Sequence, residues 1–288
     1  MRYWLIAVAL AAVASPLAAQ IDCTAGHLPD GSNEAELFRI RGVSTVFGRV
    51  SSPVSLREHG LIFLFEGTQL PDIDPATATA TYCRPGKPPE HVDLLPILPR
   101  PRIILGLADE MTFEVSWVPP IRVNGVKADL LGFAIARTVP LGDGLISLRG
   151  NATLGVIRAP ITCTKDQIAQ DSLAPGATEC AGGAKPSDDH FKPNSYGLDL
   201  TYGWPVGRGR LRPYIGAGVN WLRSRFQVDF TDRFDVHQGQ KVEGNFRRLA
   251  LFGGASWYPT PRWGITGEIY ADPGTTAVGR IGVARAVK

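Results

Sequence analysis

Apolar and polar residues alternate over long stretches of the chain after about residue 100. Between Ile146 and Val156, every second residue is apolar or small, and the residues between them are polar or small. A repeat of two residues is the pattern of a β-strand, whose successive side chains point to opposite faces. The stretch exceeds the about 5–6 residues of a typical globular strand. It matches the about 9–11 residues of a tilted membrane strand, and therefore predicts one.

The same alternation recurs along the chain, so that nine strands are predicted after residue 100. They cover residues 102–108, 111–118, 131–136, 146–156, 196–204, 214–221, 248–257, 263–270 and 276–287. Bacterial single-chain barrels have even strand numbers. The N-terminal part is therefore expected to add one or three strands, and residues 37–50 and 54–66 contain strand-like runs. The prediction is an all-β fold, a closed antiparallel transmembrane β-barrel of about 10–12 strands.

The predicted connections fall into two groups according to length. If the C-terminus is periplasmic, the short turns 108–110, 140–144, 205–209 and 258–261 lie on the periplasmic side. The longer segments 119–127, 159–194 and 229–244 then lie outside, together with the tight turn 272–274. This asymmetry is typical of outer-membrane barrels. A β-sandwich, the soluble alternative, gives no reason for long and short connections to alternate.

Aromatic residues are predicted to form belts at the two membrane interfaces, where an apolar ring with a polar tip is favoured. Next to the short turns lie Trp204, Trp257, Tyr258 and Trp263, and near the opposite rim lie Trp117 and Trp221.

The N-terminal residues 1–19 have the order of features of a cleaved signal peptide. Arg2 precedes an apolar stretch, and small residues end it at Ala19. We therefore predict a signal peptide at 1–19, an N-terminal segment at 20–100 and the main barrel at 101–288. The N-terminal segment would supply the first strand or strands. Its Pro-rich part, 67–101, is an extracellular loop, a periplasmic segment or a plug.

Four cysteines occur in the chain, and an even number in an exported protein favours disulfides. Cys163 and Cys180 are the local pair, which leaves Cys23 with Cys83. The sequence shows neither a Cys-x-x-Cys motif nor a histidine cluster, so no metal and no cofactor is expected. The formal net charge of +3, without a basic patch, argues against nucleic acid as a partner. The expected partners are membrane lipid and a small solute.

Two short segments resemble known barrel motifs. Residues 212–219, Arg-Pro-Tyr-Ile-Gly-Ala-Gly-Val, resemble a strand motif of outer-membrane barrel families. Residues 106–109, Gly-Leu-Ala-Asp, resemble a hairpin of outer-membrane transporter-like barrels. The resemblance implies a bacterial outer-membrane β-barrel at the superfamily level, without matching a single family. The chain departs from such barrels at its C-terminus, which ends in Lys288 rather than an aromatic residue.

Polar residues on the inward face of the predicted strands are the candidate site. They are Glu114, Arg149, Asn151, Asp199, Arg212, Arg248, Glu268 and Arg280. In a narrow barrel they would pair, because unpaired buried charges are costly. In a wider barrel they would line a polar pore.

The function that the sequence favours is a passive pore or transporter for small solutes in the outer membrane. The alternative is a non-conducting structural or adhesive barrel that displays its loops. A hydrolase at the rim ranks third, because residues 188–190, Asp-Asp-His, lack a matching serine nucleophile. The protein is therefore not expected to be an enzyme.

Overall fold

The fold is described from a computed structural model. It describes residues 26–82, 89–92, 95–172 and 180–287. The predicted signal peptide, as well as Cys23 and Cys83, lies outside these ranges.

Within the described ranges, ten strands form a closed antiparallel barrel, as the sequence predicted. They are β2 (Leu61–Gln69), β3 (Ile97–Gly106), β4 (Met111–Val118), β6 (Val126–Leu141), β7 (Gly144–Ala159), β8 (Asp189–Gly203), β9 (Leu211–Gln227), β12 (Lys241–Thr260), β13 (Trp263–Asp272) and β14 (Thr276–Ala286). Each pairs with the next, and β14 closes the barrel by pairing with β2. The remaining short strands are β1 (Gly26–His27), β5 (Arg122–Val123), β10 (Phe230–Thr231) and β11 (His237–Gln238).

The wall has a buried inner face and an exposed apolar outer face. In β8, Leu198 and Leu200 are exposed, whereas Asp199 and Thr201 between them are buried. Large apolar side chains are exposed around the whole barrel, including Phe65, Ile103, Ile135, Leu148, Leu200, Ile215, Leu251, Ile269 and Ile281. An apolar exterior around a polar interior is the expected pattern of a barrel that lies in lipid.

The barrel has one end with short turns and one with long connections, which we call the turn end and the loop end. Its wall is taller on one side, because β6, β7, β8, β9 and β12 have 15–20 residues and the other five strands have 8–11. The tall strands extend at the loop end. There β1 pairs with β12 beyond the reach of β13.

The ladder between β3 and β4 is incomplete at the loop end. Among the described pairs, it runs only from Gly106↔Thr112 to Arg102↔Ser116. On its other side, β3 pairs with β2 as far as Ile97 at the loop end. Leu107 donates its N–H to Met111, and Gly106 donates to Gly60, so odd-numbered residues of β3 point their nitrogens toward β4. Pro99 and Pro101 are odd-numbered and have no N–H. They therefore remove two donors that would extend this ladder.

The N-terminal segment passes through the barrel before the first wall strand begins. The helix α1 (Asn33–Thr45) lies at the loop end, capped by Ser32, whose Oγ accepts a hydrogen bond from the Ala35 N–H. Residues 46–53, which we call the plug, follow it down the lumen. The chain reaches the turn end at His59, which donates its N–H to Gly106. The strand-like run predicted at residues 37–50 is therefore wrong, because the helix α1 covers most of this range.

The Pro-rich segment 70–96 is described at residues 70–82, 89–92 and 95–96, and these parts lie at the loop end over α1. It contains the short helix α2 (Pro75–Ala78), and the α1 residue Asn33 donates to the carbonyls of Ala76 and Thr79. The next long connection contains α3 (Lys165–Ile168) and the predicted disulfide between Cys163 and Cys180, which is confirmed. None of the helices in the described ranges has the length and hydropathy needed to cross a membrane.

Candidate functional site

Charged side chains from five wall strands, β2, β3, β4, β7 and β8, meet in the middle of the lumen. Arg149 on β7 donates to Glu114 on β4 at 3.1 Å and to Asp199 on β8 at 3.2 Å. Arg102 on β3 binds the same Glu114 at 3.0 Å, and it also donates to Glu66 on β2. These five groups are almost completely buried. They form a continuous paired network, which lowers the cost of burying each charge.

The network continues around the rest of the wall. Arg280 on β14 donates to Glu268 on β13 at 3.3 Å, and Glu268 also accepts from the hydroxyl of Tyr214. Arg100 lies 4.0 Å from Glu66. Among the described residues, the network contains four arginines and four carboxylates of the wall, so their formal charges balance. Arg49 of the plug adds a fifth cation, 3.9 Å from Asp199.

The same wall side chains hold the backbone of the plug. Arg149 donates to the carbonyl of Phe47 at 3.0 Å, and Arg102 donates to that of Gly48 at 3.0 Å. Thr266 donates to the carbonyl of Val50 at 2.6 Å. In the opposite direction, backbone N–H groups of the plug donate to hydroxyls of the wall. The Phe47 N–H donates to Thr153 Oγ1, and the Ser52 N–H donates to Ser256 Oγ. Five backbone polar groups of a segment without regular secondary structure are thereby satisfied by wall side chains inside the barrel.

Phe47 is the largest apolar group of the plug, and it lies among arginines. The centre of its ring is 4.1 Å from the guanidinium carbon of Arg102 and 5.0 Å from that of Arg149, within the range of cation–π attraction. The ring also packs closely on the wall at Gly132, where an added Cβ would lie 2.7 Å from a ring carbon. A side chain at residue 132 would therefore displace the plug.

The predicted inward-facing residues divide into three groups. Glu114, Arg149, Asn151, Asp199, Glu268 and Arg280 lie together in the central network. Arg212 lies apart at the turn end, near the ring of Tyr258. Arg248 lies apart at the loop end, where it makes two hydrogen bonds to Asp272 and one to Thr275.

Sequence reasoning missed Glu66, Arg100, Arg102 and the plug residues Phe47 and Arg49. The two wall arginines had a detectable signal, because Leu98, Arg100, Arg102 and Ile104 share one face of a strand at a spacing of two. Arg100 falls in the Pro-rich part 67–101, where Pro99 and Pro101 interrupt the pattern, and the predicted strand begins only at Arg102. No comparable pattern identifies Phe47 or Arg49.

The predicted aromatic residues take different positions. Trp117, Trp257 and Trp263 are exposed on the outer face. Trp221 stacks on Tyr196, and Trp204 stacks on Tyr202. Tyr258 follows the inward-facing Ser256 at a spacing of two and packs against Arg212 and Gly264, so it does not share the outward direction of Trp257.

The rim residues 188–190 are engaged in structural contacts. Asp188 forms salt bridges with Arg122 and Arg158. Asp189 is buried and accepts hydrogen bonds from the Thr162 N–H, the Asp229 N–H and the Ser187 hydroxyl. Asp189 thus ties two long connections together. In the part of the chain that the structure describes, no group of three or more His, Cys, Asp or Glu side chains is placed to hold a metal ion.

Comparison with known proteins gives structural similarity only. No family model and no curated protein matches the chain. Ail of Yersinia pestis aligns with 80% of this chain and 98% of its own, at 10% identity and a TM-score of 0.31. The N-terminal β-barrel domain of Pseudomonas aeruginosa OprF aligns with 80% of this chain and 98% of its own, at 11% identity and a TM-score of 0.31. Neisserial surface protein A aligns with 79% of this chain and 96% of its own, at 11% identity and a TM-score of 0.28. The fold assignment rests on the closed strand order of the chain itself.

Proposed function

We propose that this chain is an outer-membrane barrel that passes small solutes when its plug, residues 46–53, leaves the lumen. The location is supported by the apolar outer face, which would be unfavourable in water over so large an area. The gating is supported by one observation above all. The wall binds the plug through side chains that donate to its backbone, and Arg102, Arg149 and Thr266 would remain as a polar lining after it left.

The lining that this opening exposes would be polar and balanced in charge. Its four arginines and four carboxylates already pair with one another along the wall, as in Arg149 with Glu114 and Arg280 with Glu268. Departure of the plug would remove the Arg49 contact with Asp199, together with hydrogen bonds to backbone atoms, but it would leave those ion pairs in place. A balanced lining gives weak preference for either sign of charge.

A non-conducting barrel that displays its loops is the second candidate. It is favoured by the extent to which the plug is bound, and by the order that Asp189 and the Cys163–Cys180 disulfide give to the loop end. Neither proposal includes catalysis, since the acidic groups of the rim serve structural contacts.

A reversible crosslink between plug helix and wall separates the two candidates. A Cβ at Gly42 of α1 would lie 3.4 Å from Ser224 Oγ of β9, so the double variant Gly42→Cys, Ser224→Cys can form a disulfide. In planar bilayers we expect conductance steps for the wild type, none for the oxidised variant, and their return after reduction. The wild type, measured with and without reductant, is the control for reduction of the native Cys163–Cys180 disulfide. Absence of steps in every state would contradict gating and favour the display function.

Location has a test of its own. A closed membrane barrel should migrate differently on gels before and after heating, and it should fractionate with the outer membrane. Recovery of the folded protein in the soluble periplasm would contradict the proposed location.

A further inference from the structure

An apolar cavity of about 150 Å³ lies at the loop end, between α1, the Pro-rich segment and the loop-end part of the wall. Phe38 contributes from the helix, and Leu98, Ala128, Ile157 and Phe191 contribute from the wall. Most other lining residues are also aliphatic or aromatic. Three charged residues, Glu34, Arg41 and Glu90, also belong to the lining, and two of them have hydrogen-bond partners outside the cavity. Arg41 donates to the carbonyls of residues 71 and 92, and Glu34 accepts from the backbone N–H of residue 82.

The size and chemistry of the cavity restrict what can occupy it. An ordered water needs about two to four polar partners, and apolar cavities of roughly this volume stay dry and accept benzene or xenon. A charged ligand would lose its hydration without gaining a partner, which is strongly unfavourable. The cavity therefore suits an uncharged molecule about the size of one aromatic ring or a short alkyl chain.

The cavity is also connected to the plug. Leu37, Phe38 and Thr45 line it from α1, and the plug begins at the next residue, Val46. The carbonyls of Thr45 and Val46 accept hydrogen bonds from Arg100 of the wall, at 2.8 Å and 3.2 Å. A molecule in the cavity would thus contact the helix whose end anchors the plug.

We propose that this cavity is the binding site for the solute, and that the solute is a small, neutral, mostly hydrocarbon molecule. That the bound molecule is the transported solute rests on the proposed function. Binding of a small hydrocarbon in the cavity does not depend on it. Contact with Phe38 and Leu37 gives the bound molecule a means to act on the plug through α1.

Xenon and toluene are suitable probes, because both are uncharged and fit the volume. Crystals of the full chain under xenon pressure should show a xenon peak bounded by Phe38, Ile157 and Phe191. In lipid nanodiscs, the methyl resonances of Ile157 should shift with toluene and reach saturation. If toluene only partitions into the lipid, the shift of these resonances grows linearly with toluene concentration instead. A cavity without a xenon peak, or a linear toluene response in the wild type, would overturn the proposal.

A matched pair of variants places the site. Ala128→Phe fills the cavity from β6 and should abolish both the xenon peak and saturation by toluene. Ala152→Phe makes the same change on β7 at a position whose cross-strand partners Phe133 and Tyr196 lie on the outer face, and it should retain both. If Ala128→Phe fails to fold, the wild-type measurements still decide. A barrel that conducts but does not bind toluene refutes this ligand class alone, whereas one that binds toluene but never conducts refutes only the gating.

Discussion

Arg149 on the wall donates a hydrogen bond from Nη1 to the backbone carbonyl of Phe47, at 3.0 Å, inside the barrel. The same guanidinium binds Glu114 and Asp199, which belong to two other wall strands. One side chain therefore serves both the charge pairing of the wall and the retention of the plug. Stability of the barrel and occupancy of its lumen should depend on it together.

Replacing Arg149 with methionine should destabilise the barrel strongly. The change removes one cationic partner from each of two buried carboxylates, Glu114 and Asp199, and breaking a buried pair costs on the order of 3–5 kcal/mol. Reversible urea unfolding in lipid vesicles measures the loss. Arg158→Met on the same strand is the control, since the pair of Arg158 with Asp188 is exposed and worth about 0–1 kcal/mol. Equal losses in the two variants would argue against the network as a source of stability.

Leu200 should be sensitive to charge because its side chain is exposed on the outer face of β8, in the half of the strand nearer the turn end. Leu200→Arg is expected to cost about 2–4 kcal/mol if that face lies in the bilayer core, since arginine at the midplane is unfavourable. The free energy of folding into lipid measures it. Leu141, also exposed, is the last residue of β6 at the turn end, and Leu141→Arg should cost about 0–1 kcal/mol near the interface. A tolerated Leu200→Arg would contradict the lipid-facing assignment.

Reduction of the Cys163–Cys180 disulfide should loosen its loop without unfolding the barrel. Both cysteines are fully buried beside Phe230, and the bond closes a connection of 17 residues. Chain entropy gives an upper value of about 3 kcal/mol for a loop near this size. We expect faster trypsin cleavage after Lys165 upon reduction, read by peptide mapping, since Lys185 and Lys192 are each followed by a proline and are not cleaved. The double variant Cys163→Ala, Cys180→Ala should be cleaved quickly with or without reductant. Unchanged cleavage of the reduced wild type would refute this role of the disulfide.

The incomplete ladder between β3 and β4 should be the part of the wall that opens most readily. Trp117 and Val118 lie beyond the last described pair, Arg102↔Ser116. The amide of Trp117 points toward β3, as that of Val115 does, and it should exchange with solvent deuterium faster than that of Val115, because no described pair with β3 protects it. Pro101→Val restores one donor toward β4 and should slow the exchange at Trp117. Exchange at Trp117 as slow as at Val115 would show that the seam is closed.

The strand faces and the closed barrel were predictable from the sequence because they depend on a local rule. Lipid outside and polar groups inside require alternation along every strand, so Leu148 and Arg149 could be assigned to opposite faces without knowledge of their neighbours. The connection lengths separated the two ends in the same way. The Cys163–Cys180 pair followed from proximity along the chain.

Only the tertiary structure decided how the lumen is filled and which charges pair there. Alternation shows that Arg149 faces inward, but its partners Glu114 and Asp199 are set by the register of three strand pairings among four strands. The plug has no face toward lipid, and its conformation is held by residues far along the chain. The Phe47 N–H binds Thr153, 106 positions away, and the Val50 carbonyl binds Thr266, 216 positions away. A local pattern contains no information on such contacts, because they exist only after the wall has closed around the plug.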